Sequence, residues 1–209
     1  MSRGKLIVLE GIDGSGTTTQ AARLVAHLSG LGLAVHGTRE PSAGPVGALL
    51  RQLLGGAHAP VDPAAIALLF AADRVDHLAR EIEPRLEAGV HVITDRYLLS
   101  SLAYQSIEVD RDWVVACNAR ARRPDLTVLL EVPVERAAAR RRARGGPEEL
   151  FDGRTFQEKV AAAYLREAAL LERAGEDVRV IDGSPDADTV FAALVPAVKS
   201  CLAQAGDPS

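Results

Sequence analysis

Five residues, Leu6-Ile-Val-Leu-Glu10, read as a buried strand and run directly into Gly11-Ile-Asp-Gly-Ser-Gly-Thr-Thr-Thr19, a glycine-rich turn that opens a helix. A strand, a turn of outward-facing backbone N–H groups and a helix N-terminus together make a cradle for phosphate. Gly11 and Gly16 stand at the spacing of G-x-x-x-x-G-K-[ST], and Thr18 fills the hydroxyl position that serves Mg²⁺ in such loops. The lysine position is Thr17. The cradle is kept and its charge is dropped. The alternative is a plain strand–turn–helix connection that happens to be rich in glycine. Asp13 within the loop opposes a phosphate and makes more sense as the acceptor of a substrate hydroxyl.

Short apolar runs alternate with helical patterns along the rest of the chain. Strands are predicted at Lys5–Glu10, Ala34–Thr38, His91–Asp95, Leu126–Glu131 and Val178–Asp182. Helices are predicted near Thr18–Ser29, Val46–Leu54, Pro63–Leu86, Asp110–Arg120, Val134–Arg142, Thr155–Arg173 and Asp186–Ala203. That rhythm implies an α/β fold with a doubly wound, five-stranded parallel sheet. Thr155 and Glu158 form a capping-box pattern at the start of the sixth helix. At 209 residues the chain suits one domain, 1–209, with a lid at roughly 143–154 where Gly and Pro interrupt the helices. The net charge of −4 argues against a general polyanion binder, so no nucleic-acid partner is expected. Two cysteines make no disulfide framework. The charged N-terminus shows no leader pattern and no apolar run approaches a membrane span, so a cytoplasmic protein with no membrane partner is expected.

Four further segments carry a family resemblance: Thr38-Arg-Glu-Pro41, Phe70-Ala-Ala-Asp-Arg74, Asp95-Arg-Tyr97 with Ser100-Ser-Leu-Ala-Tyr-Gln105, and Arg123-Pro-Asp-Leu-Thr127. In this order, with the glycine-rich loop, they resemble bacterial thymidylate kinase over nearly the whole chain, with an atypical phosphate loop. The resemblance implies a P-loop nucleoside monophosphate kinase fold with a lid, a homodimer, and phosphate transfer from Mg·ATP to dTMP in the route to dTTP. ATP would then lie on Gly11, Asp13, Gly14, Ser15, Gly16, Thr17, Thr18 and Thr19. Arg39 and Arg96 follow strand ends, where ligands of open α/β sheets collect, and two guanidinium forks there suit a monophosphate; the alternative for each is a surface salt bridge. Phe70 and Arg74 share a helix face and offer a ring and a fork to a pyrimidine, or an ordinary core phenylalanine with a snorkelling arginine. By the resemblance, Asp13 would accept the substrate 3′-hydroxyl, Ser101 and Gln105 would lie near the base, and Tyr104 would crowd a ribose 2′-hydroxyl. Asp95 and Thr18 would organise Mg²⁺ directly or through water, with Glu40 a weaker metal candidate.

The departures concern charge. Family members carry an arginine at the position of Gly14 or in a lid pattern that aligns with Glu149-Leu-Phe-Asp152, where Leu150 replaces it. Phosphoryl transfer is almost wholly positioning and electrostatic stabilisation, so a compensating cation is expected. Arg136, Arg140, Arg141, Arg142 and Arg144 approach the lid at helical spacing, and Arg154 follows it. Arg140 and Arg144 share one face, which is expected to point toward the transferred phosphate; a solvated basic helix end is the alternative. Two other functions stay open at this point: a nucleotide-binding paralogue with weak or no kinase activity, and a kinase for another deoxynucleotide.

Overall fold

The computed structural model describes residues 3–55, 60–145 and 153–203, and of Arg144 the backbone alone. Five parallel strands, β1 (Leu6–Glu10), β2 (Val35–Arg39), β3 (His91–Asp95), β4 (Leu126–Glu131) and β5 (Val178–Asp182), stand in the order β2-β3-β1-β4-β5. The three central strands are buried on both faces, which is why they read as almost unbroken apolar runs. The edge strands β2 and β5 are mostly exposed or half-exposed. From β1 the chain leaves toward β2, whereas from the adjacent β4 it leaves toward β5. Their carboxyl ends therefore flank a switch in winding direction, the usual place for a ligand in an open α/β sheet.

Alternate residues of the strands feed the two layers. On one face Ile7, Leu9, Ile93, Val128 and Leu130 pack with Leu24 and Leu28 of α1 (Thr17–Gly30) and with Val190, Leu194 and Val198 of α9 (Ala187–Ala203). On the other, Leu6, Val8 and Val92 meet Leu78, Ile82 and Leu86. Beside them Leu129 joins α5 (Leu98–Tyr104), α7 (Val134–Arg144) and α8 (Arg154–Arg173) through Leu99, Ala103, Ala137, Val160 and Ala163. The remaining helices are α2 (Pro45–Leu54), α3 (Pro63–His77), α4 (Glu83–Glu87) and α6 (Arg111–Cys117). Among the described residues, no helix is long and apolar enough to cross a membrane.

Four local expectations change. The long helix expected over Pro63–Leu86 is three pieces, α3, a π-helical segment Leu78–Ile82 and α4. Pro84, which lacks the N–H for an i−4 bond, follows the π segment. Helix α5 was not expected at all. Its Ser100 and Ser101 face buried partners rather than solvent, so the apolar periodicity is broken on the core side. Helix α6 stops at Cys117, because the Asn118 side chain turns back and donates to Val114 O at 2.9 Å. The capping box at Thr155 does not form. Helix α8 begins one residue earlier with Gly153 at the cap, and Glu158 instead accepts from Arg154 Nε at 3.0 Å. Most of the expected lid, 146–152, lies outside the described residues, and Glu149, Leu150, Phe151 and Asp152 with it.

Candidate active site

The loop after β1 closes onto the start of α1. Gly16 caps that helix at φ +101°, ψ +9°, a left-handed conformation that a residue without Cβ adopts freely. Gly14 has φ +89°, and a Cβ there would lie 2.4 Å from Ala137 O of α7. Thr17 is buried at the helix start, while Thr18 and Thr19 are exposed. Thr18 Oγ1 donates to Asp95 Oδ2 at 2.5 Å, joining the loop to the end of β3. The second oxygen, Asp95 Oδ1, is buried with no hydrogen-bond partner among the described residues. A hydroxyl and an under-used carboxylate oxygen suit Mg²⁺, which takes one or two protein ligands and completes its shell with phosphate oxygens and water. Among the described residues no group of three or more acidic, His or Cys side chains is gathered for a metal.

Next to this pair the sheet presents a cation. Arg39 ends β2 in register with Asp95, is exposed, and has no hydrogen-bond or ion-pair partner among the described residues. It lines an open cleft of about 660 Å³ with Thr18, Arg51, Glu81 and Asp95. Arg51 itself is spent on backbone, donating to Pro41 O at 2.9 Å and to Ser42 O.

Arg96 occupies the centre. Its φ of +71° is rare outside glycine, and the conformation is held from both sides: the N–H donates to Leu9 O at 2.8 Å and the carbonyl accepts from Thr94 Oγ1 at 2.8 Å. Its guanidinium donates to Asp13 Oδ1 at 2.7 Å, Tyr164 OH at 3.0 Å and Ser100 Oγ at 3.2 Å, and lies 5.4 Å from the Tyr104 ring centroid. Burial opposes ionisation of Asp13, but Arg96 and the Tyr104 hydroxyl outweigh it, so its carboxyl is held below the usual range. Tyr104 OH donates to Asp13 Oδ2 at 2.9 Å, and Gln157 Nε2 lies 3.3 Å from the same oxygen. Beneath them Glu10 is fully buried, which raises its pKa. Its Oε2 accepts from Ser100 Oγ at 2.5 Å and Tyr164 OH at 3.3 Å, while Oε1 accepts the Tyr97 and Ser100 N–H groups at 2.9 and 3.2 Å. Beyond Tyr104 a hollow of about 360 Å³ is lined by Pro63, Ile66, Tyr104, Gln105 and Phe156. Gln105 Oε1 is buried and unpartnered among the described residues.

A glycine-rich loop, the Thr18–Asp95 pair, a strand-end guanidinium unpartnered among the described residues and an apolar hollow thus share one end of the sheet. The family model for thymidylate kinase matches residues 9–192. The chain belongs to the thymidylate kinase family. A probable thymidylate kinase of Pyrobaculum aerophilum is 43% identical over 196 residues, covering 92% of this chain and 95% of the relative. The thymidylate kinase of Alkalilimnicola ehrlichii is 38% identical over 214 residues, covering 97% and 95%. The structure of Candida albicans thymidylate kinase superposes with a TM-score of 0.83 at 26% identity, covering 96% of this chain and 93% of that one. The relatives come from archaea as well as bacteria, so the narrower bacterial assignment gives way to the family as a whole.

Within a thymidylate kinase several of the expected residues are arranged otherwise than their sequence suggests. Arg74 is fully buried and its fork is committed: Nε and Nη2 donate to Glu40 Oε2 at 3.1 and 2.7 Å, Nη2 also reaches Tyr97 O and Ser101 Oγ, and Nη1 pairs with Asn118. It shares the α3 face with half-buried Phe70, but it clamps β2, α5 and α6 together and does not present an open fork to a base. Glu40, the weaker metal candidate, is engaged in the same cluster: one oxygen is taken by Arg74 and the other faces His77 Nδ1 at 3.4 Å. Arg140 also departs from expectation. It donates to the carbonyls of Gly183, Ser184 and Pro185 at 2.8–2.9 Å, with a long contact to Ser15 O at 3.4 Å, and so ties the loop after β5 to α7. Arg144 is described in its backbone only, so its expected direction lies outside the described side chains. Glu10, Tyr164 and Gln157 were missed as site residues. Glu10 reads as the last residue of a strand, and the other two are distant helix residues that only the tertiary fold brings in, Gln157 to Asp13 and Tyr164 to Arg96 and Glu10.

Proposed function

We propose that the chain phosphorylates dTMP to dTDP with Mg·ATP, using Arg39 and Arg96 for the acceptor phosphate and Gly11–Thr19 for the donor phosphates. The observation that carries this reading is Arg39: a guanidinium unpartnered among the described residues, at the carboxyl end of the sheet, with β3 between its strand and the one that leads into the phosphate loop. In the transfer an acceptor phosphate oxygen forms a bond to the γ-phosphorus while the bond to the β–γ bridging oxygen breaks, its electron pair leaving on ADP. The acceptor oxygen is already anionic, so the protein needs no general base and its work is orientation and charge.

Asp13, held ionised by Arg96, accepts the 3′-hydroxyl of the deoxyribose, and Tyr104 closes the space where a 2′-hydroxyl would stand. Phe70, Ser101 and Gln105 border the base, Gln105 through its unspent carbonyl oxygen. Thr18 and Asp95 hold Mg²⁺, which supplies charge neutralisation at the donor phosphates. The exposed side chains Leu49 of α2 and Leu68 and Val75 of α3 support a homodimer through these packed helices. A cytoplasmic location is supported by cysteines that form no disulfide among the described residues.

The test is a panel of acceptors, dTMP, dUMP, dCMP, UMP and thymidine, scored for ADP formed from Mg·ATP. The reading expects dTMP to lead, thymidine to be inert for want of a phosphate, and UMP to be rejected at its 2′-hydroxyl. Turnover of thymidine, or equal turnover of UMP and dUMP, would overturn it.

A further inference from the structure

The segment Gly11–Thr19 contains no lysine or arginine, so the phosphate cradle has no cation of its own. Resting on the kinase reading above, we propose that Arg141 of α7 supplies this charge from outside the loop and stands in at the donor phosphates for the lysine replaced by Thr17.

Helix α7 is seated directly on the loop. A Cβ at Gly14 would meet Ala137 O at 2.4 Å and Arg141 Cγ at 3.1 Å, so the stem of Arg141 lies across the glycine. Its Nη1 donates to Asp13 O at 2.5 Å, which brings the guanidinium to the rim of the cradle. Successive helix residues are turned about 100° from one another, so Arg140 and Arg141 leave the helix in different directions. Arg140 and Arg136 hold the carbonyls of the loop after β5, and Arg154 is taken by Glu135 and Glu158. Among the described arginines of α7, Arg141 lies across Gly14 and donates to Asp13 O, whereas Arg140 reaches the loop only through its long contact to Ser15 O at 3.4 Å. Asp13 feels this charge as well as that of Arg96, so the loop anion is balanced from the α7 side and the acceptor side at once. During transfer, negative charge grows on the β–γ bridging oxygen as its bond to the γ-phosphorus breaks. A guanidinium at the cradle rim stabilises that charge where a loop lysine otherwise would.

Arg141→Ala, Thr17→Lys and the double variant test this, with kcat, the KM of each substrate, Tm, and calorimetric affinities for ATP and AMP. Loss of a preorganised donor predicts a fall in kcat of about 10²-fold for Arg141→Ala, with the KM for dTMP changed less than about threefold. Affinity for ATP is expected to fall roughly tenfold and affinity for AMP to stay unchanged, since AMP lacks the outer phosphates. Adding Thr17→Lys to Arg141→Ala, or supplying methylguanidinium in solution, is expected to recover at least about tenfold in kcat. The proposal is overturned if Arg141→Ala keeps kcat and ATP affinity within about threefold of wild type. It is equally overturned if the loss tracks a lowered Tm and neither Thr17→Lys nor methylguanidinium relieves it. Failure of wild type to use dTMP would reject the acceptor reading alone, because the contrast between ATP and AMP affinity still decides the role of Arg141.

Discussion

Glu10 shows how one buried carboxylate sets the direction of a distant charge. Ser100 Oγ gives its proton to Glu10 Oε2 at 2.5 Å, and the Tyr164 hydroxyl proton is shared between Ser100 Oγ at 2.8 Å and Glu10 Oε2 at 3.3 Å, which leaves lone pairs to face Arg96 Nη1. In Glu10→Gln the amide NH₂ competes for the same oxygens, and the hydroxyl protons turn toward Arg96. Such a mismatch of charge-assisted hydrogen bonds predicts a loss of about tenfold in kcat/KM for dTMP. Burial raises the Glu10 pKa above 4.5, so the ionised form is disfavoured by folding at neutral pH. Removing that charge relieves the penalty, and the Tm at pH 7 is expected to hold or rise while activity falls. The wild type should also lose activity as acid protonates Glu10, an acid limb that Glu10→Gln lacks; parallel pH profiles check this. Arg39→Ala is expected to raise the KM for dTMP by about 10²-fold and leave the KM for ATP nearly unchanged, read from initial rates.

At the scale of elements, the strands were legible because their signal is local. The strands β3, β4 and β5 have the bounds that their apolar runs predict. The glycine-rich loop was equally plain, since backbone conformation demands glycine wherever it occurs in sequence. Helix α5 was not legible, because Ser100 and Ser101 serve Glu10 and Arg74 inside the fold and mimic a polar surface stretch. The arginines of α7 mark a second limit. Composition announced a basic helix, but only the packing of Ala137 against Gly14 decides that Arg141 meets the phosphate loop and Arg140 the loop after β5. Arg140→Ala is therefore expected to act on stability, removing the donors to three carbonyls at a cost of about 1–3 kcal/mol. For a chain of this size that lowers the Tm by roughly 3–10 °C, measurable by calorimetry, with ATP affinity reduced less than in Arg141→Ala.

The whole molecule separates duties by layer. The α1–α9 face is apolar packing behind the sheet, whereas the carboxyl ends of β1, β2 and β3 carry the phosphate loop, Arg39 and Asp95–Arg96. On the outside, Leu68 and Val75 lie seven residues apart on α3, on one face, with Leu49 of the packed α2 exposed as well. If these form the homodimer face, Leu68→Asp converts a species of twice the chain mass to a monomer in sedimentation experiments, with circular dichroism unchanged. A thymidylate kinase scaffold without its loop lysine is expected to transfer phosphate all the same. The direct measurement is the formation of ADP and dTDP by the wild-type chain with Mg·ATP, with and without dTMP. The two products are expected in equal amounts and only when dTMP is present. Tight binding of dTMP with no dTDP at any concentration of Mg·ATP would contradict it and leave a nucleotide-binding protein in a kinase fold.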